Sequence, residues 1–308
     1  MFYCDQYHVP QTLEEAFDLI QTNKGSYKVL AGATDLLPWA REGRGGDVNF
    51  ESVIDISKIT DMSEWQLQGD RISLGANVTI QQLLEDPFLR KHIPVMAKSA
   101  VWFADDQIRE QATLGGNLVN ASPAADATPP MLAMNAELTL QRKYKGKINQ
   151  RKLPLHEFVT GPGKTRLEDG ELVTRVECDS MPGYGSAFEK VGHRRSLVIS
   201  TVCLAALVSL SDNGRKFEDV RLALGGVGPV PVRLHESESC LISKPVETEL
   251  INKSADLAVK NVQSRTRQEY RREVVFNFVK RGIIEAMKDI ETNYAEVDKN
   301  IKPRKNYG

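Results

Sequence analysis

A chain of 308 residues with a formal net charge of −1 has room for two or three compact units and lacks the basic excess of a nucleic-acid-binding protein. No apolar run reaches the roughly 18 to 20 residues of a membrane-spanning helix, and Met1-Phe-Tyr-Cys-Asp-Gln6 has no basic segment leading into an apolar one, so neither a span nor a secretory signal is expected. Cys4, Cys178, Cys203 and Cys240 stand far apart with no Cys-x-x-Cys pair, which fits reduced thiols in a cytoplasmic protein and carries no zinc or iron–sulfur signature.

Taken in order, Thr12 caps a helix over Leu13–Ile20, where apolar residues recur at three- and four-residue steps, and Glu15 completes a Thr-x-x-Glu capping box. Tyr27–Leu30 reads as a short strand running into a small-residue bend, Val29-Leu-Ala-Gly-Ala-Thr-Asp35. Gly32 stands alone there, so the bend is not the Gly-x-Gly-x-x-Gly dinucleotide fingerprint. Ser52–Ile56 and Arg71–Thr79 read as strands, the second with a glycine that marks a bulge or a close backbone approach. Thr79 caps a helix over Ile80–Glu85, and a long helix is expected over His92–Phe103. A second bend follows at Thr113-Leu-Gly-Gly-Asn117, then Asn120-Ala-Ser-Pro-Ala-Ala-Asp126. Ala136–Arg142 and Glu171–Glu177 read as strands.

Pro182-Gly-Tyr-Gly185 punctuates the chain and marks a boundary. Ser186–Lys190, Val198–Leu210 and Val220–Gly226 then read as strands of a second, largely antiparallel sheet, although periodicity alone also allows a helix over Val198–Leu210. Ala255–Ile290 turns helical, with Tyr270, Val274, Phe278 and Ile284 as the stripe expected to cover that sheet. The Arg265–Arg272 run is a solvated helix face, and from Asn293 the chain is a polar, basic tail without a period. Strands and helices mix in the first part, and a sheet precedes helices in the second, so the fold class is α+β.

The two bends carry the chemistry. Adjacent glycines let a ligand approach the backbone, and consecutive N–H groups in such a turn form a concave anion site. Two of them, far apart in sequence, suit a diphosphate gripped from opposite sides. Two other motifs do not count. Gly161-Pro-Gly-Lys-Thr165 is like the end of a phosphate-binding loop, but the first glycine of that loop would fall at Phe158; Gly226-Val-Gly228 reads as a strand-end turn. The five histidines form no cluster with carboxylates, and His193 reads as a surface or loop residue.

With both bends placed, the chain resembles the FAD-binding (medium) subunit of the molybdenum hydroxylases, the family of carbon monoxide dehydrogenase medium subunits and of the flavin domain of xanthine dehydrogenases. Val29, Leu30, Ala31, Gly32, Ala33, Thr34 and Asp35 resemble its first pyrophosphate loop. Thr113, Gly115, Gly116 and Asn117 resemble the second, with Asp126 as the acidic residue beyond. Trp102-Phe103, Gly161–Thr165, Lys190-x-x-x-Arg194, Leu224–Pro229 and Ser264–Arg271 extend the match over nearly the whole chain. The departure is Ala33, where many members carry a second glycine; its methyl group is tolerated if φ stays negative.

The resemblance implies a PCMH-type FAD-binding domain over 1–181, built of two α/β subdomains (about 1–57 and 58–181). It implies a C-terminal antiparallel sheet packed with helices over 182–290, like the carbon monoxide dehydrogenase flavoprotein C-terminal domain, and a polar tail over 291–308. FAD is expected to be held noncovalently, since the first bend has no His or Cys. Gly32, Ala33, Thr34, Gly115, Gly116 and Asn117 would serve its diphosphate, Thr113 a phosphate or ribityl oxygen, and Asp126 sugar or ribityl hydroxyls. Phe103 would wall the isoalloxazine, with Val173 nearby and Lys190 as a cation favouring the anionic reduced flavin. The implied partners are a large molybdopterin-binding subunit and a small subunit with two [2Fe–2S] clusters, as in a dimer of heterotrimers, with NAD⁺ or another acceptor; no nucleic acid is involved. Two other readings remain: a stand-alone FAD oxidoreductase of the same broad fold, and a non-catalytic interaction subunit that has lost FAD, which Ala33 alone encourages.

Overall fold

The structure is a computed structural model that describes residues 2–42, 49–194, 198–211 and 213–301, with backbone only from 291 onward. The first unit is a three-stranded parallel sheet in the order β1–β3–β2, made from β1 (Tyr3–His8), α1 (Leu13–Thr22), β2 (Tyr27–Leu30), α2 (Leu36–Arg41) and β3 (Asn49–Asp55). Thr12 caps α1 as expected, its hydroxyl accepting from Glu15 N at 3.2 Å. The reciprocal bond closes one residue further out, because Glu15 takes the N–H of Gln11 at 2.7 Å. Ala16, Phe17 and Ile20 form the buried face of α1.

The second unit is an antiparallel sheet in the order β4–β5–β10–β6–β7. After β4 (Trp65–Gln68) and β5 (Arg71–Gly75), six short helices intervene: α3 (Ile80–Glu85), α4 (Pro87–His92), α5 (Pro94–Ala100), α6 (Asp106–Gln111), α7 (Leu114–Asn120) and α8 (Thr128–Ala133). The chain returns through β6 (Glu137–Tyr144), β7 (Lys147–Pro154), α9 (Leu155–Phe158), the hairpin β8 (Val159–Gly161) and β9 (Lys164–Thr165), and β10 (Leu172–Asp179). Two expectations are corrected here. The strand over 71–79 stops at Gly75, whose Cα lies so close to Met62 that an added Cβ would sit 2.1 Å from its carbonyl oxygen. The helix expected over 92–103 is shorter: α4 ends at His92, and Pro94, with no N–H to donate, begins a new helix that ends at Ala100.

The third unit is an antiparallel sheet, β11 (Gly185–Val191), β12 (Val202–Leu210), β13 (Phe217–Gly225) and β14 (Val232–Arg233), followed by α10 (His235–Ser239), α11 (Thr248–Val259) and α12 (Gln268–Ile301). The ambiguous run over 198–210 is a strand from Val202, and its lack of alternation has a simple cause. Val202, Leu204, Ala206 and Val208 pack into the core shared with α11 and α12, while Cys203, Ala205 and Leu207 pack into the core of the preceding unit. A sheet buried on both faces needs apolar residues at both parities.

The buried stripe of α12 is Val275, Phe278, Val279, Ile283, Ala286 and Ile290. Of the expected stripe, Phe278 belongs to it, whereas Tyr270 and Ile284 are exposed: four-residue steps drift off a face with a 3.6-residue period, and Ile284 lies six residues beyond Phe278, on another face. The helix continues through the first part of the expected tail, and 302–308 lie outside the described residues. Among the described residues no helix is long and apolar enough to cross a membrane.

The second and third units are joined by a polar seam. Asp179 accepts from Arg71 (2.7 Å), Arg221 (2.6 Å) and Asn135 (2.7 Å), and Arg233 donates to Asn135 Oδ1 at 2.6 Å. Helix α12 crosses β11 at Gly185, where a Cβ would stand 1.9 Å from the carbonyl oxygen of Ala286. Gly185→Ala is therefore expected to force the helix off the sheet, costing about 1–3 kcal/mol, read as a lower urea midpoint.

Candidate cofactor site

Strand β2 delivers the chain from half-buried Val29 and buried Leu30 into the first bend, which ends where α2 begins at Leu36. At Gly32 an added Cβ would lie 1.9 Å from the carbonyl oxygen of Gln111, the last residue of α6. The first bend is thus packed, backbone on backbone, two residues before the second. A further link closes the far side, since Asn120, the last residue of α7, donates to Asp35 Oδ2 at 2.9 Å. Burial pushes the Asp35 carboxyl above the usual carboxylate range. The two bends expected to face one ligand do come together.

Their hydrogen-bond donors are distributed differently from expectation. The second bend is the opening turn of α7, and its N–H groups are spent. Leu114 N donates to Val78 O (2.9 Å), Gly115 N to Ala76 O (2.8 Å), Gly116 N to Thr113 Oγ1 (3.1 Å) and Asn117 N to Thr113 O (3.0 Å). The N–H groups of Gly115, Gly116 and Asn117, expected from the sequence to face a diphosphate, thus have acceptors within the chain. Gly115 is small because Ala76 lies against it, with Cβ 2.6 Å from where its own would be. Gly116 is exposed, and only Thr113 Oγ1, at 2.8 Å, lies within 4 Å of its missing Cβ. What the second bend offers a ligand is an open glycine surface, the Thr113 hydroxyl proton and Asn117 Oδ1. That oxygen is buried and has no hydrogen-bond partner.

At the first bend the N–H groups of Gly32, Ala33, Thr34 and Asp35 donate to no group among the described residues. Ala33 has φ +54°, so the negative φ under which its methyl group would be tolerated without strain is not the one it adopts. A residue in the left-handed region turns its N–H to the same side as its neighbours' and makes the concave arrangement that anions favour.

The aromatic and charged residues gather at the turn that precedes α6. Phe103 is half-buried against the first core, and Trp102 is exposed. Asp126 and Lys190, expected at different parts of the cofactor, are bonded to each other. Lys190 Nζ donates to Asp126 Oδ2 (2.5 Å) and to Trp102 O (3.1 Å), while Ser200 donates to Asp126 Oδ1 (2.6 Å). Burial raises the Asp126 carboxyl, with Lys190 and Ser200 pulling it back. Val173 is buried in β10, and its neighbour Thr174 accepts from Ala76 N at 3.0 Å, which fixes the residue behind Gly115.

Asn120, Ser200 and Arg109 take part without having been singled out. Asn120 stood inside the Asn120–Asp126 stretch, whereas Ser200 and Arg109 carried no motif. Gly161–Thr165 forms the β8–β9 hairpin, Gly226 turns the end of β13 with φ +77°, and His193 is exposed beside Arg267. Among the described residues no group of three or more His, Cys, Asp or Glu is placed to hold a metal ion.

These features fit a dinucleotide: unspent N–H donors on one bend, a hydroxyl and an unpartnered carboxamide oxygen on the other. Residues 3–178 match the family described as the FAD binding domain in molybdopterin dehydrogenase, and residues 186–286 match the CO dehydrogenase flavoprotein C-terminal domain. A putative xanthine dehydrogenase FAD-binding subunit of Escherichia coli (strain K12) is 31% identical over 93% of this chain and 97% of its own. The carbon monoxide dehydrogenase medium chain of Hydrogenophaga pseudoflava is 27% identical over 82% and 85%. A solved carbon monoxide dehydrogenase from Hydrogenophaga pseudoflava superposes with a TM-score of 0.84 at 25% identity, covering 94% of this chain and 99% of that one.

The strain at Ala33 is testable. A left-handed alanine costs roughly 1–2 kcal/mol, of which glycine's greater unfolded-state freedom returns about 0.4–1 kcal/mol. Ala33→Gly is expected to raise the urea midpoint slightly with no loss of bound FAD; a lower midpoint would contradict the strain.

Proposed function

The chain belongs to the family of FAD-binding subunits of molybdenum hydroxylases, an oxidoreductase family, and from that premise we propose how its residues hold FAD and what it works with. The reading rests on one observation above others. The donors a diphosphate needs and the acceptor a ribityl or ribose hydroxyl needs are left over on two bends that touch.

In this reading the N–H groups of Gly32, Ala33, Thr34 and Asp35 take the diphosphate, and Val29, Leu30 and Ala31 carry the chain up to it. Thr113 donates its hydroxyl proton, Asn117 accepts through Oδ1, and Gly115 and Gly116 keep the face of α7 bare so that the cofactor can lie against it. Phe103 walls the ring, with Val173 in the strand behind. Asp126 and Lys190 close the ring end as a pair, each holding the other's charge in a place where an unpaired one would be costly. No His or Cys lies in either bend, so FAD is held without a covalent bond.

When bound, FAD supplies a two-electron store that is filled one electron at a time from the [2Fe–2S] clusters of a small partner and emptied to NAD⁺ or another acceptor. The chain's own part is to orient that store and shield it. We place the molybdopterin centre on a large partner subunit, and the pair of clusters on the small one, because relatives of this chain are named as a FAD-binding subunit and a medium chain of larger dehydrogenases.

Gly116→Val adds a branched side chain on the exposed face of α7 and meets nothing but the cap hydroxyl, so the fold should persist. The expected protein is folded and colourless, with FAD occupancy lowered roughly tenfold or more, a loss of at least ~1.4 kcal/mol; retention of full FAD content would show that the cofactor lies elsewhere. For the assembly, purification through a tag on this chain should bring down molybdenum and iron together, and a metal-free product would refute the partner assignment.

A further inference from the structure

We propose that Arg109 is a positioning residue of the flavin centre: with Lys190 it fixes the Trp102–Phe103 turn, so that the Phe103 ring keeps a single orientation toward the cofactor. The proposal rests on the reading that Phe103 walls the isoalloxazine.

The turn's own backbone bonds engage only its N–H groups: Trp102 N donates to Ser99 O at 3.0 Å and Phe103 N to Ala100 O at 3.1 Å. Residues 101–105 contain no glycine, yet Ala104 takes φ +43°, a conformation that alanine adopts only when its surroundings impose it. What imposes it is a pair of buried cations on successive carbonyls. Lys190 Nζ, from β11, donates to Trp102 O at 3.1 Å, and Arg109 Nη1, from α6, donates to Phe103 O at 2.9 Å. Their side chains are 2% and 9% exposed. Two peptide planes in a row are thereby fixed from different elements, which leaves the intervening Cα of Phe103, and so its Cβ direction, almost no freedom.

Arg109 is itself immobilised. Its Nε donates to Gln81 Oε1 at 2.9 Å, its Nη2 bonds Asp106, and Gln81 is held in turn by its Nε2 donating to Glu85 Oε1 at 2.6 Å. A guanidinium fixed by three acceptors on α3, α6 and the turn acts as a rigid fork. Stability alone does not call for it, because an apolar residue of similar size often serves as well where a charge must be desolvated. Its one acceptor outside helices is the carbonyl of the residue proposed to face the ring. The same short helix ends at Gln111, against which Gly32 lies, so the ring wall and the diphosphate cradle are set by one rigid element.

The test is made on the FAD-loaded protein. Arg109→Met keeps the stem and removes every donor. It should retain FAD within about twofold, while the visible circular dichroism of the bound flavin, which reports how the ring sits among its neighbours, is roughly halved. Arg109→Lys keeps the charge and a single donor, and should restore part of the signal. Phe103→Leu tests the underlying reading separately: an unchanged flavin spectrum there would remove Phe103 from the ring. A Phe103→Leu change with no change in Arg109→Met would overturn the proposal and leave that reading intact. If Arg109→Met does not fold, Arg109→Lys decides, a partial loss of signal supporting the proposal and a wild-type spectrum refuting it.

Discussion

At Gly32 the first bend meets the carbonyl of Gln111 so closely that no side chain fits between them, and this contact sets the distance between two otherwise separate pieces of chain. Helix α6 is the piece on the far side. Its N-terminus is fixed by Asp105, which accepts from Ile108 N at 2.9 Å, directly after the aromatic turn. Its C-terminus runs through Ala112, whose carbonyl takes Ile80 N at 2.9 Å, into the cap residue Thr113. Six residues of helix are only about 9 Å long. Over that length the chain positions an aromatic turn, a cradle of N–H groups and the open face of α7. A displacement of the first bend would therefore be felt at the aromatic turn as well, without any change in the residues there.

The hydrogen-bond accounts explain why the sequence was informative about which segments matter and less so about what each one does. Gly115-Gly116 is the more conspicuous motif, and it drew the expectation of backbone donors. Yet a threonine two residues before the first of a glycine pair is also an N-cap, and once α7 forms, its opening N–H groups are taken by Val78, Ala76 and Thr113. Those acceptors lie 35 to 40 residues upstream or in the cap itself, and only tertiary structure brings Ala76 and Val78 there. The plainer bend at Gly32 keeps its donors because its residues precede α2 rather than open it, and the cap residue Asp35 gives its side chain to Asn120. Elements with a local cause were legible: Thr12, Thr79 and the turn at Pro182 act within a few residues. The reach of Lys190 to Asp126, and of Arg109 to Phe103, had no local cause to read.

The third sheet has a place in this arrangement that its sequence half concealed. Because β12 is apolar on both faces, the sheet is a middle layer, with α11 and α12 on one side and α5 and α8 on the other. A buried layer transmits position well, since close-packed interiors deform little. Lys190 projects from its edge strand β11 to the carboxylate of Asp126 and the carbonyl of Trp102, both in the preceding unit. An ion pair that far from water adds little net stability, because desolvation offsets most of the Coulomb gain. Its effect is on geometry: with Ser200 on the second carboxylate oxygen, the pair ties three segments together in an arrangement in which both charges are partnered.

Three alanines around the site hold φ in the left-handed region: Ala33 in the first bend, Ala104 in the aromatic turn and Ala121 at the end of α7, with φ of +54°, +43° and +49°. Glycine would adopt these angles freely, and each alanine costs roughly 1 kcal/mol by comparison. The compensation comes from outside each segment. Gly32 against Gln111 anchors the first, Lys190 and Arg109 the second, and at the third Ala121 O accepts from Gly163 N at 3.0 Å in the β8–β9 turn. A glycine at Ala104 or Ala121 would leave the chain freer there in the folded protein. An alanine held in the same angle by its neighbours has already lost that freedom when the chain folds. The strain is carried by folding, so the proposed cofactor bends hold their shape before any ligand is present.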